Sequence, residues 1–97
     1  MMSTQLEIKL KRLILPIFGI KGIDILVDGA IVASLSLGGS KTVEVSAGEH
    51  TVKAILHGVI DRESKVLEVS VKENSTVKII GTYSRMHGDL QLSSPSN

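Results

Sequence analysis

Hydrophobic residues recur at every second position along most of the chain from Gly22 onward. A period of two is typical of strands that bury one face, whereas a helix repeats every ~3.6 residues. Short segments rich in Gly, Ser, Asp and Asn separate these runs and favour turns. The pattern predicts six strands, whose apolar faces are Ile23, Ile25 and Val27; Ile31, Ala33, Leu35 and Leu37; Val43 and Val45; Val52, Ala54 and Leu56; Leu67, Val69 and Val71; and Val77, Ile79, Gly81 and Tyr83.

Turn residues mark the ends of these runs. Asp28 and Gly29 are a pair preferred in two-residue hairpin loops of type I′, in which both residues take a positive φ. Gly48 stands in the segment SAGEH, where a bend needs a positive φ that glycine adopts without steric penalty. The structural turns that we predict contain Asp28, Gly29, Gly38, Gly39, Gly48 and His50.

The opening segment fits two patterns. Leu6, Ile8 and Leu10 alternate as they do in a strand. The apolar residues of the same segment also fit a helical stripe, and Thr4 with Glu7 has the spacing of a capping box. We favour the strand because the rest of the pattern is all-β and Pro16 would end a helix early. The helix stays the alternative for residues 5–15.

The number and spacing of the strands indicate the fold class. Leu90 and Leu92 predict a last short strand after the six already assigned. Many short strands joined by hairpin turns within 97 residues are typical of an antiparallel sandwich. We therefore predict an all-β chain, an antiparallel β-sandwich of about seven or eight short strands, Ig-like or prealbumin-like. It forms a single domain over residues 1–92, with a disordered tail over 93–97.

Three stretches carry a resemblance to a known family: IDILVDGAIVASL, GGSKTVEV and SAGEHTVKA, between Ile23 and Leu56. They resemble small bacterial Ig-like and transthyretin-like sandwich modules, of which the PEGA domain is an example. Both patterns place a strand that ends in Val-Asp-Gly before a short polar strand and a turn with Gly and His. The resemblance implies a non-catalytic module, often attached to bacterial envelope or multidomain proteins, with no catalytic residues to assign.

Composition narrows the classes of partner. The net charge is +1, and the aromatic side chains are Phe18 and Tyr83, so the chain lacks the stacking platforms of most sugar and single-strand nucleic-acid sites. The densest basic cluster is Lys9, Lys11 and Arg12, which we interpret as a solvated sheet face. We expect no nucleic-acid partner.

The histidines are the residues best suited to a metal or acid–base site, because the chain has no cysteine. His50 and His57 lie seven positions apart on one predicted strand, which places them on opposite faces. His50 has the inward parity of Val52, and we interpret it as a turn histidine whose ring donates to nearby carbonyls. His87 is predicted to lie in a solvated turn. We expect no metal ligands and no cofactor.

Sequence motifs of catalysis or modification are weak here. The GGSKT segment at 38–42 lacks the Gly directly before Lys that a phosphate-binding loop requires. The chain has no G-x-S-x-G elbow. The sequon at 74–76 has the residue types of a tight turn, which is our interpretation of it. We predict that the protein is not an enzyme.

The segment LILPIFGI at 13–20 is too apolar for a free loop. It is far shorter than the about 20 apolar residues of a membrane helix, so we predict no integral membrane segment. It either closes one end of the sandwich or contacts a second subunit or another protein, which makes a homodimer or higher homo-oligomer possible. Its candidate interaction residues are Leu13, Leu15, Ile17, Phe18 and Ile20.

The bases before this segment imitate a secretory signal, but Pro16 and Gly19 interrupt the apolar core and no A-x-A-like site follows. A cytoplasmic location is the default expectation, with envelope association as the alternative if a signal was removed. The sequence predicts a non-enzymatic interaction or structural module, bacterial by resemblance, that acts through protein contacts. The alternative is a small-ligand or carbohydrate-binding module that uses loops at one end of the sandwich.

Overall fold

A computed structural model describes residues 4–11, 21–58, 60–84 and 89–94 of the chain. Strands account for most of these residues, and no helix occurs among them. This confirms the all-β class. The strands are β1 (Gln5–Leu10), β2 (Gly22–Val27), β3 (Ala30–Leu35), β4 (Ser40–Glu44), β5 (Gly48–His57), β6 (Arg62–Glu63), β7 (Leu67–Val71), β8 (Thr76–Ser84) and β9 (Asp89–Ser93).

The strands form two sheets that pack face to face as a sandwich. One sheet has the order β4-β1-β8-β9, and the other has the order β3-β2-β5-β6, with β7 also paired to β5. Because Val52 pairs with both Val27 and Leu67, β7 lies on the side of β5 away from β2. β6 pairs with the far end of β5, at Ile55 and Leu56.

One pairing departs from the antiparallel arrangement that we predicted. β1 runs parallel to β8, from Gln5 opposite Thr76 to Leu10 opposite Gly81. The two strands are far apart in the chain and are not joined by a hairpin, so no tight turn forces them to be antiparallel. The other strand pairs in the described residues are antiparallel.

The core lies between the two sheets and consists of the inward residues of alternating strands. The opening segment is a strand over residues 5–10, as favoured, and the helical alternative is wrong there. The alternation within β2, β5 and β7 also matches the buried positions. The buried hydrophobic side chains are Leu6, Ile8, Leu10, Ile23, Ile25, Val27, Val52, Ala54, Leu56, Val69, Val71, Ile79 and Leu90.

A β-bulge in β3 overturns one assignment of faces. Ile25 pairs with Ala33, whereas the next residue, Leu26, pairs with Ile31, so Val32 is an extra residue in β3. An extra residue shifts the alternation by one position. Ile31 therefore faces away from the core and is 61% exposed, although we predicted that it shares the inner face with Ala33.

Ser64 directly follows the two-residue strand β6. Its side chain is buried, and its hydroxyl accepts a hydrogen bond from the Ala54 N–H at 2.8 Å and donates to the Lys65 carbonyl at 3.0 Å. The Ser64 N–H donates to the Ala54 carbonyl at 2.8 Å. Ser64 thus pairs both backbone groups of Ala54 in the gap between β6 and β7.

Ordered contacts occur up to residue 94. β9 continues to Ser93, and the Ser94 hydroxyl donates to the Lys78 carbonyl at 3.0 Å. Residues 95–97 of the predicted tail lie outside the described part of the chain, so the single domain and its tail stay predictions.

Candidate functional site

Two histidines at opposite ends of β5 each contact an aspartate of the neighbouring β2–β3 hairpin. β2 pairs with β5 from Gly22 opposite His57 to Val27 opposite Val52. His57 contacts Asp24 within β2, and His50 contacts Asp28, which follows β2. The pairing of β2 with β5 is thus bracketed by two His–Asp contacts.

The His50 contact lies at the tip of the hairpin. Its Nδ1 is 2.5 Å from Asp28 Oδ2, and its Nε2 is 2.7 Å from the Ser46 carbonyl oxygen. The Thr51 N–H donates to Asp28 Oδ1 at 2.9 Å. Asp28 and Gly29 have φ of 52° and 85°, both positive as a type I′ loop requires. The loop therefore places the Asp28 carboxylate against β5, where the His50 side chain is 9% exposed.

The His57 contact lies on the outer face of the same sheet. Its Nε2 is 2.7 Å from Asp24 Oδ2, and its Nδ1 is 3.2 Å from Asp61 Oδ2. The Ser34 hydroxyl donates to Asp24 Oδ1 at 2.6 Å. Here the carboxylate stands between hydroxyl and imidazole, whereas a nucleophilic triad needs the imidazole between hydroxyl and carboxylate. The cluster therefore lacks the order that activates a serine.

Hydrogen bonding favours the charged form of each histidine. Bonds to the Asp28 carboxylate and then to the Ser46 carbonyl raise the pKa of His50 above its ordinary value. Bonds to Asp24 and then to Asp61 raise the pKa of His57 in the same way. Burial opposes both shifts but is the weaker influence.

The two aspartates shift in the opposite direction. Hydrogen bonds from the Ser34 hydroxyl and then from His57 lower the pKa of Asp24. A hydrogen bond from His50 and then one from the Thr51 N–H lower the pKa of Asp28. Each histidine and its aspartate therefore stabilise one another as an ion pair.

A polar concavity of about 260 Å³ opens beside His50. Register places Glu49 opposite Ser70 and Thr51 opposite Glu68, so these side chains share the outer face of β5 and β7. The concavity is lined by Asp28, Glu49, His50, Thr51, Glu68, Val69 and Ser70.

A second concavity of about 260 Å³ lies beside β9 and is lined by Lys65, Leu90, Gln91 and Leu92.

The predicted turn residues lie in two places. Asp28, Gly29 and His50 meet at the tip of the β2–β3 hairpin, and Gly48 begins β5 with a φ of 130°. Gly38 has a φ of 90° in the β3–β4 turn, where the Gly39 N–H donates to the Ser36 carbonyl at 2.8 Å. The candidate interaction residues Leu13, Leu15, Ile17, Phe18 and Ile20, together with Arg12 and His87, lie outside the described residues.

Sequence patterns missed the partners of the two histidines. Asp24 has the outward parity of β2 and His57 that of β5, but their contact depends on the register between strands far apart in the chain. Asp61 is four residues after His57 in the sequence. Two strand residues at that spacing are far apart, so the sequence predicts a contact only if the chain reverses direction between them. The inward parity of His50 and its position after a Gly turn were the available signals for the hairpin-tip contact.

The described residues contain no group of three or more His, Asp or Glu side chains placed to hold a metal ion. They also contain no helix with the length and apolar character needed to cross a bilayer.

No protein-family model matches this chain, and searches of curated proteins and of solved structures gave no match either. The likeness to PEGA modules between Ile23 and Leu56 remains a prediction from the residues.

Proposed function

We propose that this protein is a non-enzymatic β-sandwich module that acts through protein contacts, with the edge of β3 as its contact surface. In the described part of the chain β3 pairs with β2 alone, which leaves its other edge open. Edge strands offer backbone N–H and C=O groups that pair with an added strand. This open edge is the observation that carries the proposal.

The residues of β3 support this choice of edge. Natural edge strands are protected by charged side chains, proline or a β-bulge. β3 has the sequence AIVASL, with no charged residue and no proline, so the bulge at Val32 is its one protection of this kind, whereas the edge strand β4 contains Lys41 and Glu44. Ile31 and Val32 are also exposed hydrophobic side chains, and they lie where the bulge turns Ile31 outward.

A second copy of the chain is the partner that we propose. Two β3 strands in antiparallel contact join two five-stranded sheets across a twofold axis, the commonest symmetry of homo-oligomers. No charged residue of one β3 then faces a charged residue of the other β3. The apolar segment at 13–20 remains a second candidate contact from its composition.

Sedimentation velocity over a range of micromolar concentrations tests this proposal. The wild-type protein is expected to sediment as a species heavier than the 10.4 kDa chain. Ile31→Lys places a charge on the β3 edge and is expected to shift the protein toward monomer with an unchanged β spectrum, because the side chain is already 61% exposed. Thr42→Lys, on the exposed face of the charged edge strand β4, is the matched control and should still associate.

Three outcomes contradict the β3 contact. The first is a wild-type protein that stays monomeric at every concentration. The second is loss of association in Thr42→Lys but not in Ile31→Lys. The third is dissociation by Phe18→Asp alone, which assigns the contact to the segment at 13–20 instead.

The concavity beside His50 favours a second candidate function, a small-ligand or carbohydrate-binding module. Three carboxylates from Asp28, Glu49 and Glu68 line it, with the Thr51 and Ser70 hydroxyls, so it suits a small polar or cationic ligand. Amide shifts of Thr51 and Ser70 in NMR titrations with glucose and with putrescine test it. Saturable shifts at these residues support binding, and unchanged spectra at millimolar ligand contradict it.

A further inference from the structure

We propose that two histidine clamps hold the β2–β3 hairpin on β5 and tighten as the pH falls below neutral. The hairpin comprises Gly22–Leu35, and the clamps are the His50 contact with Asp28 and the His57 contact with Asp24. The inference is independent of whether β3 binds a second copy.

The positions of the clamps follow from the register of the sheet. His57 stands opposite Gly22, at the start of β2. Its contact with Asp24 therefore fixes the open end of the hairpin, opposite the tip. Asp28 follows Val27, the last paired residue of β2, so its contact with His50 fixes the tip. Within the described residues β3 pairs only with β2. The hairpin is therefore held by the packing of Ile23, Ile25 and Val27 in the core and by the β2–β5 pairing that the clamps bracket.

Each clamp needs a proton because every ring nitrogen faces an oxygen acceptor. His50 lies between a carboxylate and the Ser46 carbonyl, at 2.5 Å and 2.7 Å. A neutral imidazole carries one N–H, so one of its nitrogens directs a lone pair at an oxygen lone pair. The imidazolium donates from both nitrogens and satisfies both acceptors. Deprotonation therefore breaks one of the two contacts of the ring.

His57 also needs a proton to donate from both ring nitrogens, because its two acceptors are both carboxylates. Asp24 Oδ2 is 2.7 Å from one ring nitrogen and Asp61 Oδ2 is 3.2 Å from the other. Asp24 is held in place by the Ser34 hydroxyl of β3, so this clamp links β3, β2 and β5 in one chain of hydrogen bonds. Loss of the proton on His57 weakens a contact that reaches the edge strand itself.

Carboxylates are in direct contact with both rings. Glu49 and Glu68 line the concavity beside His50 together with Asp28. Near His57, Lys53 is on the same face of β5 but is paired with Glu63 at 2.5 Å. Lys21, whose backbone N–H donates to the His57 carbonyl, and Arg62, which pairs with Leu56, are further cations close to His57 in the sheet. The carboxylates in direct contact with the rings favour protonation of both histidines.

The direction of the pH effect follows from linkage. The pKa of each histidine is raised in the fold above the ordinary 6.5, so the folded chain holds its proton at a higher pH than the unfolded chain. The stabilisation is fully present below 6.5 and is lost as the pH rises through the folded pKa. The hairpin is therefore held more firmly in mildly acidic than in alkaline conditions.

NMR titration of the imidazole resonances in the wild-type protein tests the proposal without a variant. The resonances of His50 and His57 are expected to titrate with midpoints above 6.5, and each is assigned by its absence in His50→Gln or His57→Gln. Asp28→Asn is expected to lower the His50 midpoint and leave that of His57 unchanged. Asp24→Asn should do the reverse, so each variant is the control for the other.

A thermal unfolding series provides the second measurement. The wild-type midpoint is expected to rise between about pH 8 and pH 6, and the double variant His50→Gln, His57→Gln should lose this rise while it keeps His87. Hydrogen exchange of the β3 amides, corrected for intrinsic rates, should slow over the same interval. The proposal is overturned if both histidines titrate at or below 6.5, or if the double variant keeps the full wild-type rise.

Discussion

Gly81 lies directly opposite Leu10 in the parallel β1–β8 pair, and no room exists there for a side chain. A Cβ on Gly81 would lie 2.6 Å from Leu10 Cδ2, 3.2 Å from Leu90 Cδ2 and 3.3 Å from Leu92 Cδ2. Three leucines thus fill the space that a side chain would occupy. The glycine is what allows β1, β8 and β9 to pack around one point of the core.

Gly81→Val is therefore expected to destabilise the fold by about 1–3 kcal/mol, because extra carbon atoms force the buried Leu10 and Leu90 away from their positions. Urea unfolding followed by circular dichroism measures the change. Gly22→Ala is the matched control, since nothing lies within 4 Å of a Cβ at that strand position. Equal stability of the two variants would show that the leucines move aside without cost.

Ser64→Ala is expected to cost about 1–3 kcal/mol, because the buried Ala54 N–H then loses its acceptor. The same urea titration measures it, and Ser70→Ala, at an exposed position of β7, serves as the control. If Ser64→Ala matches the wild type, Ala54 has found another acceptor and Ser64 does not hold β5.

Gly29→Ala is expected to destabilise the hairpin by about 1 kcal/mol, because Gly29 has a φ of 85° that alanine adopts with strain. Nothing lies within 4 Å of a Cβ there, so the backbone angle alone accounts for the loss. Gly29→Asn should lose less, since asparagine tolerates positive φ better than alanine. Thermal midpoints of the three proteins decide the order, and an alanine variant as stable as the wild type would falsify the argument.

The stability of the protein is expected to decline on the acidic side as well. Asp24 and Asp28 have pKa values below the ordinary 3.8, so their stabilisation is present above 3.8 and is lost as the pH falls through the folded values. Together with the histidines, this predicts a maximum of the thermal midpoint between pH 3.8 and 6.5. Asp24→Asn should flatten the acidic decline, and a maximum at neutral or alkaline pH would contradict the prediction.

Local patterns in the sequence predicted most of the strands and their inner faces. Ile23, Ile25 and Val27 alternate without interruption, and the Asp-Gly pair after them has few conformations other than a tight turn. The buried residues of β5 and β7 follow from the same alternation. These features depend on neighbours along the chain, so the sequence alone was enough.

Features that depend on distant residues escaped prediction. The bulge at Val32 changes the face of Ile31 through pairing with β2, and the residues of β3 give no sign of it. The His57 contact with Asp24 joins residues 33 positions apart, through a register that no local rule determines. In the sequence, Ser64 looks like any serine of a polar loop. Its role depends on the Ala54 N–H of β5, which donates to its hydroxyl only in the folded sheet.

The parallel contact of β1 with β8 also constrains the order of folding. Gln5 pairs with Thr76, so β1 finds its β8 neighbour only after most of the chain is available, although its other neighbour, β4, comes earlier in the chain. Closing a loop of this length has a high entropic cost, and topologies with such distant contacts fold slowly. During synthesis the β2–β3 hairpin and its pairing with β5 can form on the nascent chain well before β8 emerges. Until β8 emerges, β1 can pair with β4 alone, and the edge of β1 that β8 later covers stays unpaired. An unpaired strand edge of this kind favours aggregation of the incomplete chain.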